Sequence, residues 1–85
     1  MNNQLLQNVM HWVDVMEGSE EWDQQFLDLE HIIGSDGEYR GSKLLVSFGG
    51  PSIWIYTARN VVVGYWGGER IERSYRDRIG LADLI

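Results

Sequence analysis

The chain has no cysteine among its 85 residues, which excludes a disulfide staple, a thiolate nucleophile and a cysteine-based zinc site. It has one proline, Pro51. No apolar run approaches the roughly 20 residues that a membrane-spanning helix requires. No basic residue precedes the first apolar positions and Asp14 interrupts them, which is unlike a signal peptide. These absences describe a soluble, cytoplasmic protein that must rely on its core. That core is small. A chain of this size buries about 60–65% of its unfolded surface. Full burial of a large apolar side chain contributes roughly 1.5–3 kcal/mol, against about 1.5 kcal/mol to order each residue. Four Trp, four Tyr and two Phe supply much of the apolar area. The length suits a single domain, residues 1–85.

The most informative absence is of positive charge. Residues 1–38 contain no Lys or Arg, yet they carry nine carboxylates: Asp14, Glu17, Glu20, Glu21, Asp23, Asp28, Glu30, Asp36 and Glu38. All seven basic residues lie between Arg40 and Arg78, and the net charge is −6. A field of this kind selects partners by sign. It repels nucleic acid and anionic lipid, so neither a direct nucleic-acid contact nor a membrane contact is expected.

The periodicity predicts an α+β domain. Leu5, Val9, Trp12, Val13 and Met16 form a helical stripe over Asn3 to Glu17, with Leu6 beside it and Gly18 as its stop. Trp22, Phe26, Leu29 and Ile33 recur at i, i+4, i+7 and i+11, which predicts a second helix from Glu20 to Ile33, with Glu20, Glu21 and Asp23 in its first turn. The period then falls to two. Lys43 to Phe48, Ile53 to Thr57 and Val61 to Trp66 read as a three-stranded antiparallel meander. Ser74 to Ile85, with Ile79, Leu81, Leu84 and Ile85, reads as a C-terminal helix, and Glu69 to Arg73 suits either the end of the sheet or the start of that helix. Leu44, Val46, Phe48, Ile53, Ile55, Val61 and Val63 would lie beneath the helices. Leu45, Trp54, Tyr56, Val62 and Trp66 would lie opposite, exposed or covered by a partner.

Signatures of chemistry are weak. Acid–base catalysis needs two groups whose surroundings separate their pKa values, and these carboxylates fall on outer helix faces. His11 and His31 lack the HxxxH or HExxH spacing of a metal site. Gly49-Gly50 and Gly67-Gly68 lack the Lys-Ser/Thr of a phosphate loop and suit hairpin turns. Arg70, Arg73, Arg76 and Arg78 form a basic cluster that would pair internally, Glu69 with Arg73 and Glu72 with Arg76, or across an oligomer. Trp54, Tyr56, Tyr65 and Trp66 suit a core or a protein interface better than a nucleic-acid stacking platform, which needs a positive groove. No enzyme activity, cofactor or metal is expected.

The run Gly49-Gly50-Pro51-Ser52-Ile53-Trp54-Ile55-Tyr56-Thr57, followed by Val61-Val62-Val63-Gly64-Tyr65-Trp66, resembles a pattern in small acidic proteins of phages and prophages. The similarity covers about residues 38–85 and brings no catalytic residue with it. It implies a setting in which small acidic proteins inhibit host nucleic-acid-handling machinery, anti-CRISPR and anti-restriction proteins among them. The expectation is therefore a non-enzymatic inhibitor that binds a basic host protein, such as a CRISPR effector or another nuclease. Glu20, Glu21, Asp23, Asp28 and Glu30 would supply the charge, with Asp14 and Glu17 at the border and Trp54 or Tyr56 as the anchor. The alternative is a phage accessory protein that acts as a homodimer or a structural module.

Overall fold

The computed structural model describes residues 3–84 and places one helix against a five-stranded sheet. Helix α1 (Asn3–Met16) buries Leu5, Val9, Val13, Val15 and Met16. Its end is set by Gly18, whose φ of +84° suits a residue without a Cβ. Ser19 N–H then donates to the Asp14 carbonyl (2.8 Å) and Gly18 N–H to that of Val15 (3.1 Å), which satisfies carbonyls the helix leaves open.

No second helix follows. Residues 20–27 are irregular, and Asp28–Ile33 is a strand, β1. Gln24 sits at φ +63°, which no helix accommodates. Leu27, Leu29 and Ile33 also satisfy a period of two, and β1 pairs with the next strand from Asp28 to Ile33, with one irregularity between His31 and Ile33. Non-local pairing therefore overrides the helical spacing of Trp22, Phe26, Leu29 and Ile33.

The sheet is a meander in the order β1-β2-β3-β4-β5, antiparallel throughout. The three expected strands are its middle: β2 (Tyr39–Ser47), β3 (Ser52–Tyr56) and β4 (Val61–Trp66). Of the two flanking strands, β1 replaces the expected second helix, and β5 (Glu69–Ser74) takes the segment whose sequence suited either the sheet or the helix. The C-terminal helix is likewise reduced to one turn, α2 (Leu81–Leu84), and Ile85 and the Leu84 side chain lie outside the described residues. The turn at Gly67-Gly68 sends the chain back along β4 and sets Ile71 opposite Gly64, so Glu69 to Ser74 gains a ladder that a helix would forgo.

Between β5 and α2 the chain runs beside the end of α1. Arg78 N–H donates to the Met16 carbonyl (3.2 Å), and Leu81 is fully buried. Tyr75 is buried, donates its hydroxyl to the Tyr56 carbonyl (3.3 Å), and has its phenol pushed above the usual range by burial and then by Asp77.

Side chains directly opposite each other in the register share a face. Leu29, Leu44, Ile55 and Val62 form one row beneath α1. Gly64 and Ile71 form the next, with Ile53 beside Gly64. Gly64 lets the helix sit this close: a Cβ there would meet Val9 Cγ2 at 2.6 Å and Leu5 Cδ1 at 2.9 Å. The other face carries Glu30, Lys43, Tyr56 and Val61 in one row and Asp28, Leu45, Trp54, Val63 and Glu72 in another. Two expectations are corrected here. The four-residue turn 57–60 sets Tyr56 opposite Val61, so Val62 and Trp66 face the helix while Val61 and Val63 do not. Phe48, expected beneath the helices, follows β2 at the turn and is 75% exposed.

Candidate functional site

The open face of the sheet is an apolar strip under a polar roof. Val61 and Val63 are 6% and 0% exposed although no helix lies over them. Trp54 and Tyr56 flank them, each half-buried. Lys43 Nζ lies 4.4 Å from the Trp54 ring centre and 6.0 Å from that of Tyr56. Arg59 stands 5.8 Å from Tyr56 and Arg70 stands 5.9 Å from Tyr65. Long cationic side chains of this kind can lay their aliphatic stems on apolar surface while keeping the charged heads in water. Carboxylates fix the heads. Glu72 Oε1 accepts from Arg59 (2.8 Å) and from Arg70 (3.0 Å), and Glu30 lies 3.7 Å from Lys43. Hydrogen bonds that Arg70 donates to Tyr65 and then to Glu72 hold its guanidinium above its usual pKa. The hydrogen bond donated by Arg70 holds Glu72 below its usual value; desolvation opposes it, and the charges of Arg59 and Arg70 add to the lowering. Trp54 and Tyr56, expected as partner anchors, thus carry cations of their own chain.

The acidic residues follow a different plan from a fence along two packed helices. Asp14 and Glu17 lie at the end of α1 and Glu20, Glu21 and Asp23 in the irregular segment, whereas Asp28 and Glu30 project from the open face of β1. Among the described residues, Glu30 and Asp36 are the two of the nine that face a Lys or Arg, Asp36 through Arg40 at 3.0 Å. Glu17 is occupied otherwise, its Oε2 accepting the Arg76 backbone N–H at 2.9 Å. Asp28 Oδ1 accepts the Leu29 N–H (2.9 Å). Glu20, Glu21 and Asp23 remain exposed and unpaired with any cation among the described residues. The arginine cluster does not quench them, and in strand β5 Glu72, expected to pair with Arg76, pairs with Arg59 and Arg70 instead.

Around these carboxylates the structure forms a cleft. His11, Trp12, Val15, Glu21, Trp22 and Asp23 line about 510 Å³ of it. A smaller adjoining pocket of about 320 Å³ shares Trp12 and Asp23 and adds Gln25, Phe26, Leu27 and Val46. Trp12 and Trp22 were read from the sequence as helix stripe residues, and their part in a concave site was missed. The available signal was the adjacency Glu20-Glu21-Trp22-Asp23, acids on both sides of an aromatic ring. Gln25 braces this wall with its backbone. Its N–H donates to Asp23 Oδ1 (3.1 Å), and its carbonyl accepts the Trp22 indole N–H (3.2 Å).

The histidines are apart in the fold. His11 lies edge-on to Trp12, while His31 Nδ1 hydrogen-bonds the buried Ser42 hydroxyl (2.7 Å), which also bonds the Tyr39 hydroxyl. No group of three His, Cys, Asp or Glu among the described residues is placed to hold a metal ion. No helix among them is long and apolar enough to cross a membrane. The turns at Gly49-Gly50 and Gly67-Gly68 share a notch of about 480 Å³ with Ser52, Tyr65, Trp66 and Arg70.

Compared with protein-family models, curated proteins and solved structures, the chain matches none.

Proposed function

We propose that this protein is a non-enzymatic binding protein of the phage-inhibitor kind that its hairpin pattern resembles. In this reading it acts in the host cytoplasm, and its acidic surface engages a basic nucleic-acid-handling protein such as a CRISPR effector or another nuclease. One observation carries the proposal: of the nine carboxylates in residues 1–38, seven remain without a Lys or Arg partner among the described residues. Unrelieved like charge strains a folded domain, and its use is long-range attraction to an opposite charge. Glu20, Glu21, Asp23 and Asp28 supply the field. Glu17 serves the chain's own packing, and the aromatic anchor shifts from Trp54 and Tyr56 to the helix side of the sheet.

Nuclease-protection assays against CRISPR effectors and restriction enzymes provide the test, run from low to moderate salt. The expected result is inhibition that fades as salt screens the field. Charge reversal at Glu20, Glu21 and Asp28 to Lys is expected to abolish it. Inhibition or binding that survives this triple change would remove the proposal.

A further inference from the structure

The carboxylates and the aromatic rings of the acidic segment are not separate features. Trp12, half-buried against the core at the border of the α1 stripe, and Trp22, from the irregular segment, line the same cleft, Val15 contributes to its lining, and Glu21 and Asp23 flank Trp22 in the wall. An indole presents a negative face to a cation, and a carboxylate beside it adds a hydrogen-bond acceptor of full charge. The wall is also pre-set. The Gln25 backbone ties the Trp22 indole at 3.2 Å and the Asp23 carboxylate at 3.1 Å, and Gln24 at φ +63° turns the chain between Asp23 and Gln25. Little ordering remains to be done when a ligand arrives.

We infer that this cleft binds an arginine side chain presented by a protein partner. A guanidinium is planar, stacks on an indole and donates to a carboxylate from a fixed fork. Two indoles and two carboxylates around one concavity match that ligand in shape, charge and donor pattern. The larger recess, where Glu21, Asp23 and both indoles lie, would take the guanidinium head, and the adjoining pocket past Trp12 to Phe26, Leu27 and Val46 would take the apolar stem or a neighbouring apolar side chain. The inference rests on the function proposed above and says where a basic partner is gripped rather than merely attracted.

The four tryptophans make the test internal, because Trp54 and Trp66 lie outside the cleft. Nα-acetyl-arginine methylamide is titrated into the ¹⁵N-labelled protein while the four indole N–H resonances are followed. Saturable shifts are expected at Trp12 and Trp22 and not at Trp54 or Trp66. The neutral isostere Nα-acetyl-citrulline methylamide should produce none. The double variant Glu21→Gln, Asp23→Gln changes two exposed side chains and should weaken arginine binding about fivefold or more. Equal shifts with citrulline, equal shifts at all four indoles, or unchanged affinity in the double variant would overturn the inference. The parent proposal fails separately. Glu20→Lys with Asp28→Lys should leave arginine binding at Trp12 and Trp22 intact while weakening capture of a basic protein. A partner held with undiminished affinity by the Glu21→Gln, Asp23→Gln variant would sink the cleft alone. Arginine binding with no inhibition of any nuclease would sink the inhibitor reading alone.

Discussion

Val62 and Val63 are neighbours on β4, each has no exposed surface, and they are buried by opposite means. Val62 lies beneath α1 among Leu44, Ile55 and the helix stripe, in a layer whose atoms interlock. Val63 lies between Trp54 and Glu72 on the other face, where Lys43 sits over the Trp54 ring and long polar side chains stand in place of a helix. Equal burial therefore hides unequal rigidity. One face is a core in the packing sense, and the other is a hydrophobic strip kept dry by long polar residues. A five-stranded sheet with one substantial helix needs the second device, because nothing else is available to cover its far side.

The sharpest way to break this contrast is to crowd the helix side. Gly64→Val should cost about 3 kcal/mol, near the top of the range for overpacking, since even a Cβ meets Val9, Leu5 and Ile53 within 3.0 Å. Urea denaturation would report it, and an unchanged midpoint would mean that α1 is free to lift. The paired truncations come next. Val62→Ala should cost about 2–3 kcal/mol and Val63→Ala about 1–1.5 kcal/mol, because flexible stems can settle into the space left behind while an interlocked layer cannot. Equal losses would show that the roof is as rigid as the core.

The smallest effect belongs to Glu72. Its folded-state pKa is lowered, so its contribution is present above the ordinary value of 4.5 and is lost as pH falls through the depressed one. Glu72→Gln should therefore narrow the stability difference from the parent as the medium is acidified. Because the group is solvent-exposed, salt should narrow it as well.

How much of this was legible in the sequence depends on where the deciding information lies. Leu5, Val9, Val13 and Met16 specify a helix by themselves, and Gly18 marks its end within one residue of the observed stop. The central strands were legible because alternation and Gly-rich turns are local signals. Residues 20–33 were not, because Leu29 and Ile33 belong equally to a period of 3.6 and a period of two. The choice is made by Leu44 and its neighbours on β2. Which valines face the helix was hidden for a similar reason: it turns on the length of the loop after Tyr56, and one residue of slip exchanges the faces. The candidate site divides along the same line. Each carboxylate was visible, but the meeting of Glu21 and Asp23 with Trp12 requires Trp22 to leave the helix assigned to it.

Strand β1 closes the meander on one side, and its outward rungs of N–H and C=O offer a template to any extended chain. Asp28 and Glu30 stand along that border. A second copy that laid its own β1 alongside would bring matching negative charges into close opposition and be turned away. The carboxylates of Asp28 and Glu30 thus guard that border against a second copy of the same strand.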